Sequence, residues 1–470
     1  MAIKVYRPRI EVKARKLVRR SGSGVAERFS GADRDVDLTP FLSEGGAVKV
    51  TKSIMEPAGG FQIALADQVD RAIRDSLYGR LEPMDMIEIR ASRDPVSGQL
   101  PLVMRGFISA VRRAESIGPD GSPQRFVMIQ GQDAGKLMLI FRLFWESLYA
   151  GADNPILDTY RLQAATGIEV AYLPVREAMK QLVERVLNRR IREMAGFTDQ
   201  VIPAIKTNRM TVPRGVVSPN VLAPMQGSYW DLAEHMADRP WNELFMEDEE
   251  DAPTLVFRPA PYRKLDGSFI MDGAADPGEV AVEAADIVTM DVGRSDERVA
   301  NFFMVPPGSS LLDASQLVTV QMIATGAPFD TNYGNNRPEL YGLRKMQAET
   351  HLLPDGIAEP PSGAQAGTQI EEWHVMRMRQ LRDMNRDNSV LEEGSVTLKG
   401  SHTLKPGRYL KVTRGAIAAT AYMTRVVHNI APLDGWTTVA TLTRGLGFLE
   451  RIKLAGAPGW QEGRKGPYDR

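Results

Sequence analysis

The sequence predicts an α+β protein dominated by antiparallel β-structure, with two β-barrel domains and helical connecting and inserted segments. Three observations predict this. Runs of alternating apolar and polar residues, parted by Gly, Pro and Asp, recur near both ends of the chain. Between them the apolar period becomes helical. Three sequence blocks of the first β region return, in the same order, in the last.

Residues 1–40 are polar and basic. The first twenty carry eight Lys or Arg (Lys4, Arg7, Arg9, Lys13, Arg15, Lys16, Arg19, Arg20) against one acid, Glu11. This predicts an arm that stays flexible until a partner orders it. Ser-Gly-Ser-Gly at 21–24 lacks the Gly-Lys-Ser/Thr of a phosphate loop and reads as linker.

A first β domain is expected over 41–135. Val48 and Val50, then Phe61, Ile63 and Leu65, alternate with polar neighbours around a turn at Pro57 and Gly59-Gly60. Met86, Ile87 and Ile89 mark another strand. LVMRGFISAVRRAES at 102–116 and RFVMIQG at 125–131 flank a Gly-Pro-Asp-Gly hairpin signal at 118–121.

A helical connecting domain is expected over 136–262. DAGKLMLIFRLFWESLY from 133 reads as a buried helix. Over 175–194, Val175, Met179, Leu182, Val186 and Met194 make the clearest amphipathic stripe, with Pro174 before and Gly196 after it. Four prolines between 203 and 224 make an irregular link. A helix over 228–238 and a strand over 254–262 follow.

The second β domain is expected to be interrupted, built from 263–305 plus 395–455, with a helical insertion over 306–394 and a tail over 456–470. Residues 286–305 read as strand, turn, strand. Helices are expected over 310–325, 338–352 and 370–388, and four strands over 395–445. PMDMIEIR at 83–90 parallels PGRYLKVT at 406–413. RGFISAVRR at 105–113 parallels AYMTRVVHN at 421–429, and RFVMIQGQD at 125–133 parallels TTVATLTRG at 437–445. The strands at 48–66 have their expected counterpart at 286–305.

Size and charge narrow the function. A chain of 470 residues holds several domains. With 58 basic and 59 acidic residues the net charge is −1, which does not support bulk attraction to DNA or an anionic membrane. The Glu-Asp-Glu-Glu-Asp run at 247–251 reads as a solvated loop or a docking surface. Without cysteine there is no disulfide, thiolate metal site or thiol nucleophile. No stretch approaches the ~20 apolar residues of a membrane span and no secretory signal is evident, so synthesis and folding in a cytoplasm are expected.

Catalytic, cofactor-binding and metal-binding residues are all expected to be absent. His235, His351, His374, His402 and His428 show no helical ligand spacing, and no G-x-S-x-G occurs. His428 reads as a strand histidine bonded to backbone. Asp33, Asp35 and Asp37 lack the Gly and Glu of a calcium loop. Nothing singles out a carboxylate pair for glycoside cleavage.

PMDMIEIRAS, RGFISAV and RFVMIQGQDAGKL resemble the first β domain of phage tail baseplate hub proteins of contractile-tailed phages. PWNELFMEDEEDAPTLVFRPAPY at 240–262, RSDERVANFFMV at 294–305, YGLRKMQAET at 341–350 and VTLKG from 396 through HNIAPLDGWTTVATLTRG are similar to later hub segments. The resemblance spans roughly residues 45–455. It implies a non-enzymatic virion protein with two tube-type β domains per chain, assembled as a homotrimer. Such a trimer joins the hexameric tail tube, or its initiator ring, to the central spike. It contacts other baseplate proteins and the tape measure protein, and passes DNA only in transit, without membrane insertion. The alternatives are a tail-associated peptidoglycan hydrolase with a β docking domain, and a hub-like part of a tailocin or secretion system.

Overall fold

The computed structural model describes residues 7–20, 26–29, 34–42, 47–67, 69–70, 75–93, 100–117, 123–144, 172–195, 202–218, 226–306, 337–357, 363–414, 417–432 and 435–447, with single residues at 24, 31 and 121. The fold class is the predicted one: α+β, dominated by antiparallel strand. The principal strands are β1 (Arg9–Arg15), β2 (Asp35–Asp37), β3 (Val48–Ser53), β4 (Gly60–Ala66), β5 (Met86–Ser92), β6 (Leu102–Ile117) and β7 (Pro123–Asp133) in the N-terminal part. β8 (Asn242–Asp248) and β9 (Pro253–Pro259) form a separate hairpin. The C-terminal part contributes β10 (Glu279–Glu283), β11 (Ile287–Gly293), β12 (Glu392–Lys399), β13 (Tyr409–Arg414), β14 (Ile417–Ala431) and β15 (Gly435–Leu446).

Thirteen of these strands form one sheet, in the order β11-β12-β15-β14-β3-β4-β7-β6-β5-β1-β2, with β13 bridging β14 and β10 off this path. The two β regions meet edge to edge, where Arg425–Ile430 of β14 pair antiparallel with Val48–Ser53 of β3. Alternation explains the layering. Val48, Val50, Phe61, Ile63, Leu65, Ile87, Ile89, Val127 and Ile129 point one way into an N-terminal core. Val396, Leu398, Leu410, Val412, Val426, Ala440 and Leu442 fill a C-terminal one. Each such Val, Leu, Ile or Phe side chain, fully buried, stabilises by about 1.5–3 kcal/mol.

The two halves repeat one pattern. β3-β4-β7-β6-β5-β1 runs in the same order as β11-β12-β15-β14-β13-β10. Ser109 interrupts the β6·β7 register where Thr424 interrupts that of β14·β15. Ile108 donates its N–H to Asp85 O over 2.9 Å, as Met423 does to Arg408 O. These bonds place PMDMIEIR on PGRYLKVT as the sequence aligned them. The other two blocks move by one residue, because the bulges fix Ser109 on Thr424. Symmetry fails at the rim: β1 runs antiparallel to β5, whereas β10 runs parallel to β13.

Several expectations are corrected. The N-terminal arm is not flexible over its described strands. Ile10, Val12 and Ala14 are buried and β1 pairs along all seven residues with β5, because alternation hidden among the basic residues supplies a core face. The counterpart of β4 is β12, not the strand near 302–304, which pairs in parallel with Lys345–Gln347. The helix expected from 133 ends at Ile140, and Arg142–Phe144 is extended. The helix expected over 338–352 is one turn, Pro338–Tyr341, stopped at Gly342 with φ 69°. The helix expected over 310–325 and the tail at 456–470 lie outside the described residues.

The helical reading holds elsewhere. Residues 175–195 are helical, with a π-helical stretch at Leu182–Leu187, and Val175, Met179, Leu182 and Val186 are buried. Tyr229–Ala237 begins with a capping box between Ser228 and Asp231. Gly363–Asn385 is the long helix of the insertion.

Candidate functional site

Two features stand out: a polar face of the sheet, and a buried set of charges that fixes how the halves meet. Residues directly opposite one another in paired strands share a face. Following the pairs, Lys399, Thr437, Asn429, Lys49, Gln62, Gln130 and Ala110 form one row across β12, β15, β14, β3, β4, β7 and β6. All are exposed or half-buried. Two rows along the same face, beyond half-buried Thr397, Val439, Val427 and Thr51, another row runs through Asp291, Ser395, Thr441 and Arg425. The face is therefore polar, carries both charge signs, and crosses the junction without a break. The reverse side is apolar, since the intervening Val426, Ile430, Val48, Val50 and Ile63 are buried.

Beside the junction, Lys52 ties β3 to β7 and to the β8–β9 hairpin. Its ammonium lies 2.5 Å from Asp133 and 2.5 Å from Asp248, and all three side chains are nearly inaccessible. Burial works against the charge of Lys52, but the two carboxylates outweigh it and hold the pKa above the usual lysine range. Asp133 also accepts the N–H groups of Gly59 and Gly135, each over 2.9 Å; burial, with nearby Asp248, still pushes its pKa above the ordinary carboxylate value against the pull of Lys52.

The acidic run at 247–251 is the other half of this device. Within the chain it is a clamp rather than a solvated loop. Glu247 meets Arg209, Lys405 and Arg408 at 2.6, 3.4 and 2.8 Å. Burial disfavours its charge, but Lys405, Arg408 and Arg209 draw the pKa below the ordinary carboxylate value. Asp248 takes Lys52, Glu249 meets Arg209 and Lys206, and Asp251 meets Lys206. Glu250 binds Arg90 and accepts the Leu102 N–H over 3.2 Å. Farther along the hairpin, Glu243 accepts from Tyr422 Oη at 2.7 Å and pairs with Arg258 at 3.0 Å. The β8–β9 hairpin thus grips β3, β5 and β6 on one side and β13 and β14 on the other. Sequence reading missed this because the partners lie up to 179 residues away.

The histidines show no assembled chemistry. His428 packs edge-on to Trp436, bonds Thr438 Oγ1 over 2.8 Å and also meets the backbone of Leu404, as expected of a strand histidine, and burial lowers its pKa to about 4. His374 faces Val305 O, and burial lowers it likewise to about 4. His235 and His351 meet with tilted rings, their centroids 5.6 Å apart, a contact invisible at their separation in sequence. Among the described residues no three His, Asp or Glu groups converge as metal ligands. Asp35 pairs with Arg15, and Asp37 accepts the Thr39 N–H, so they belong to the β1–β2 edge. A cleft of about 930 Å³ between the 363–385 helix and β12/β15 has largely apolar walls, Met346, Leu381, Met384 and Leu391 among them. No helix among the described residues is long and apolar enough to cross a membrane.

The described residues thus show long strand edges, a polar sheet surface and an internal ionic clamp. No family model matches the chain, and no curated protein matches it. It is similar in structure to phage tail proteins. A tail protein from Neisseria meningitidis MC58 shows 13% identity over 93% of this chain and 97% of its own, with a TM-score of 0.47. The 43 kDa tail protein of prophage MuSo2 from Shewanella oneidensis shows 9% identity over 93% and 96%, with a TM-score of 0.44. A component of the Escherichia coli type VI secretion system shows 7% identity over 88% and 76%, with a TM-score of 0.38.

Proposed function

We propose that the chain is a structural, non-enzymatic baseplate hub of a contractile phage tail. Three copies form a ring of six related sheet modules, with the polar face turned to the channel. A three-fold object with six near-equivalent modules can seat on a hexameric tube at one end and a trimeric spike at the other. The observation that carries this reading is the internal repeat joined edge to edge, with one polar row continuous across both halves. A face of alternating hydroxyl, amide and opposite charges gives a passing polyanion no deep well in which to stick. The tail tube protein or initiator ring, the spike, other baseplate proteins and the tape measure protein are the proposed partners. DNA is a transient passenger, and the site of action is the virion tail.

The test is native mass followed by class averages of the same sample. Three chains and six lobes around a pore are expected. A monodisperse monomer that clears peptidoglycan in a zymogram would overturn the reading in favour of a hydrolase.

A further inference from the structure

We propose that β6 of one chain pairs antiparallel with β11 of a second copy, in the register that β14 and β3 use within the chain. The inference rests on the ring assembly proposed above and names the contact that closes it.

The reasoning starts from a socket filled in one half and open in the other. On one edge, β14 carries β13 over Ile417–Tyr422 and then β3 over Arg425–Ile430. Its counterpart β6 carries β5 over Leu102–Phe107, but beyond that Ala110–Ile117 have only β7, on the opposite edge, among the described residues. The strand that fills the β14 socket is β3, and the counterpart of β3 is β11. β11 pairs with β12 on one side and ends the sheet on the other. An exposed socket and the strand shaped to fill it therefore sit at different places on one surface. That is the head-to-tail arrangement that closes into rings, and bare edges of this length need a partner.

The repeat supplies the register. Arg425, Val427 and Asn429 face Ser53, Thr51 and Lys49. Carried over, Ala110, Arg112 and Ala114 face Ser295, Gly293 and Asp291 of the second copy. Two independent features agree. Continued two residues past the copied pairs, to the bulge at Val288, the register brings Ile117 beside Val288 of the second copy. These side chains are 81% and 55% exposed, among the few large hydrophobics left in solvent. Exposed Arg112 comes to lie diagonal to Asp291 of the second copy on the same face, within reach of an ion pair. Thr424 O accepts the Ile54 N–H over 3.0 Å, which makes the pairs one residue on, starting with Arg425 and Ser53, the closely spaced non-hydrogen-bonded kind. Ala114 and Asp291 of the second copy inherit that geometry.

The chain has no cysteine, so disulfide trapping has no background. The full-length Ala114→Cys/Asp291→Cys variant, mildly oxidised, is expected to give covalent species up to three chains at unchanged native mass. Each single variant, and the out-of-register Ala114→Cys/Val292→Cys pair, should give none. Ile117→Asp, at an exposed position that leaves the fold intact, should weaken self-association at least about tenfold. Native trimers without in-register trapping would overturn the pairing and leave the hub reading standing. Trapped ladders running past three chains would keep the pairing and remove the three-fold ring. A monomer that never traps would overturn both.

Discussion

Met84 and Gly407 hold the same backbone conformation, with φ of 78° at each, and both donate their N–H over 2.8 Å to the matching carbonyls of Ile108 and Met423. The turn is part of the repeat, but the two copies reach it with different residues. At Gly407 a Cβ would stand 2.8 Å from the Phe245 ring and 2.9 Å from the Arg258 guanidinium. Gly407→Ala should therefore destabilise by about 1–3 kcal/mol, through the left-handed backbone and the crowding together. Met84→Gly, which relieves strain but loses side-chain packing, should stay within about 1 kcal/mol of the parent. Urea midpoints of the two variants check both.

Lys52→Met should be among the most damaging single changes. It leaves Asp133 and Asp248 buried without their cation, a loss of about 3–5 kcal/mol. Denaturant unfolding checks this. A parent-like midpoint would mean that the carboxylates find another cation.

Stability should fall between neutral pH and pH 4. Folded His428 and His374 titrate near 4, below the ordinary histidine value of 6.5, because both are buried. The unfolded chain therefore binds more protons in this window, and folding weakens as pH drops from 6.5 towards 4. The loss is about 3 kcal/mol for each histidine once complete. Urea midpoints from pH 7.5 to 4.5 should show the slope, and His428→Gln should remove its share.

Glu247 and Arg408 should be energetically coupled. Each alanine variant alone, and the pair together, should give an interaction energy of about 1–2 kcal/mol in a double-mutant cycle. Because the folded Glu247 pKa is depressed, its contribution is present above pH 4.5 and is lost as pH falls through the folded value. Cycles at pH 7 and pH 4 check the sign.

Removing residues 1–16 should prevent stable folding rather than merely impair assembly. The deletion takes Ile10, Val12 and Ala14 from the N-terminal core and bares the edge of β5. A well-folded truncated protein on circular dichroism would contradict the pairing of β1.

The parts legible in the sequence were those written locally. The alternation in β3, β4, β5 and β7, the stripe over 175–194 and the helix over 228–238 each depend on neighbours a few residues away. The repeat was legible too, except where a bulge moved two blocks by one residue, since bulges leave no signature in Ser109 or Thr424, and where the counterpart of β4 proved to be the distant β12 rather than the strand near 302–304. β1 was obscured because Arg9, Lys13 and Arg15 dominate its composition while Val12 and Ala14 carry its fold. The clamp was illegible for a different reason. Glu247 and Glu250 look like any solvated acids until distant Arg408 and Arg90 are brought to them. The acidic run was read as a solvated loop or a docking surface, and it docks within its own chain.

The paired bulges make the sheet sensitive to counting rather than to chemistry. Past Thr424 the side chains of β14 change sides, so Val426, His428 and Ile430 turn inward while Arg425, Val427 and Asn429 turn to the polar row. Losing that single residue would invert the remainder of the strand, sending Ile430 to water and Asn429 into the core. Lineages of this protein should accordingly exchange the amino acid at Ser109 or Thr424 freely, yet keep the chain length through these strands fixed.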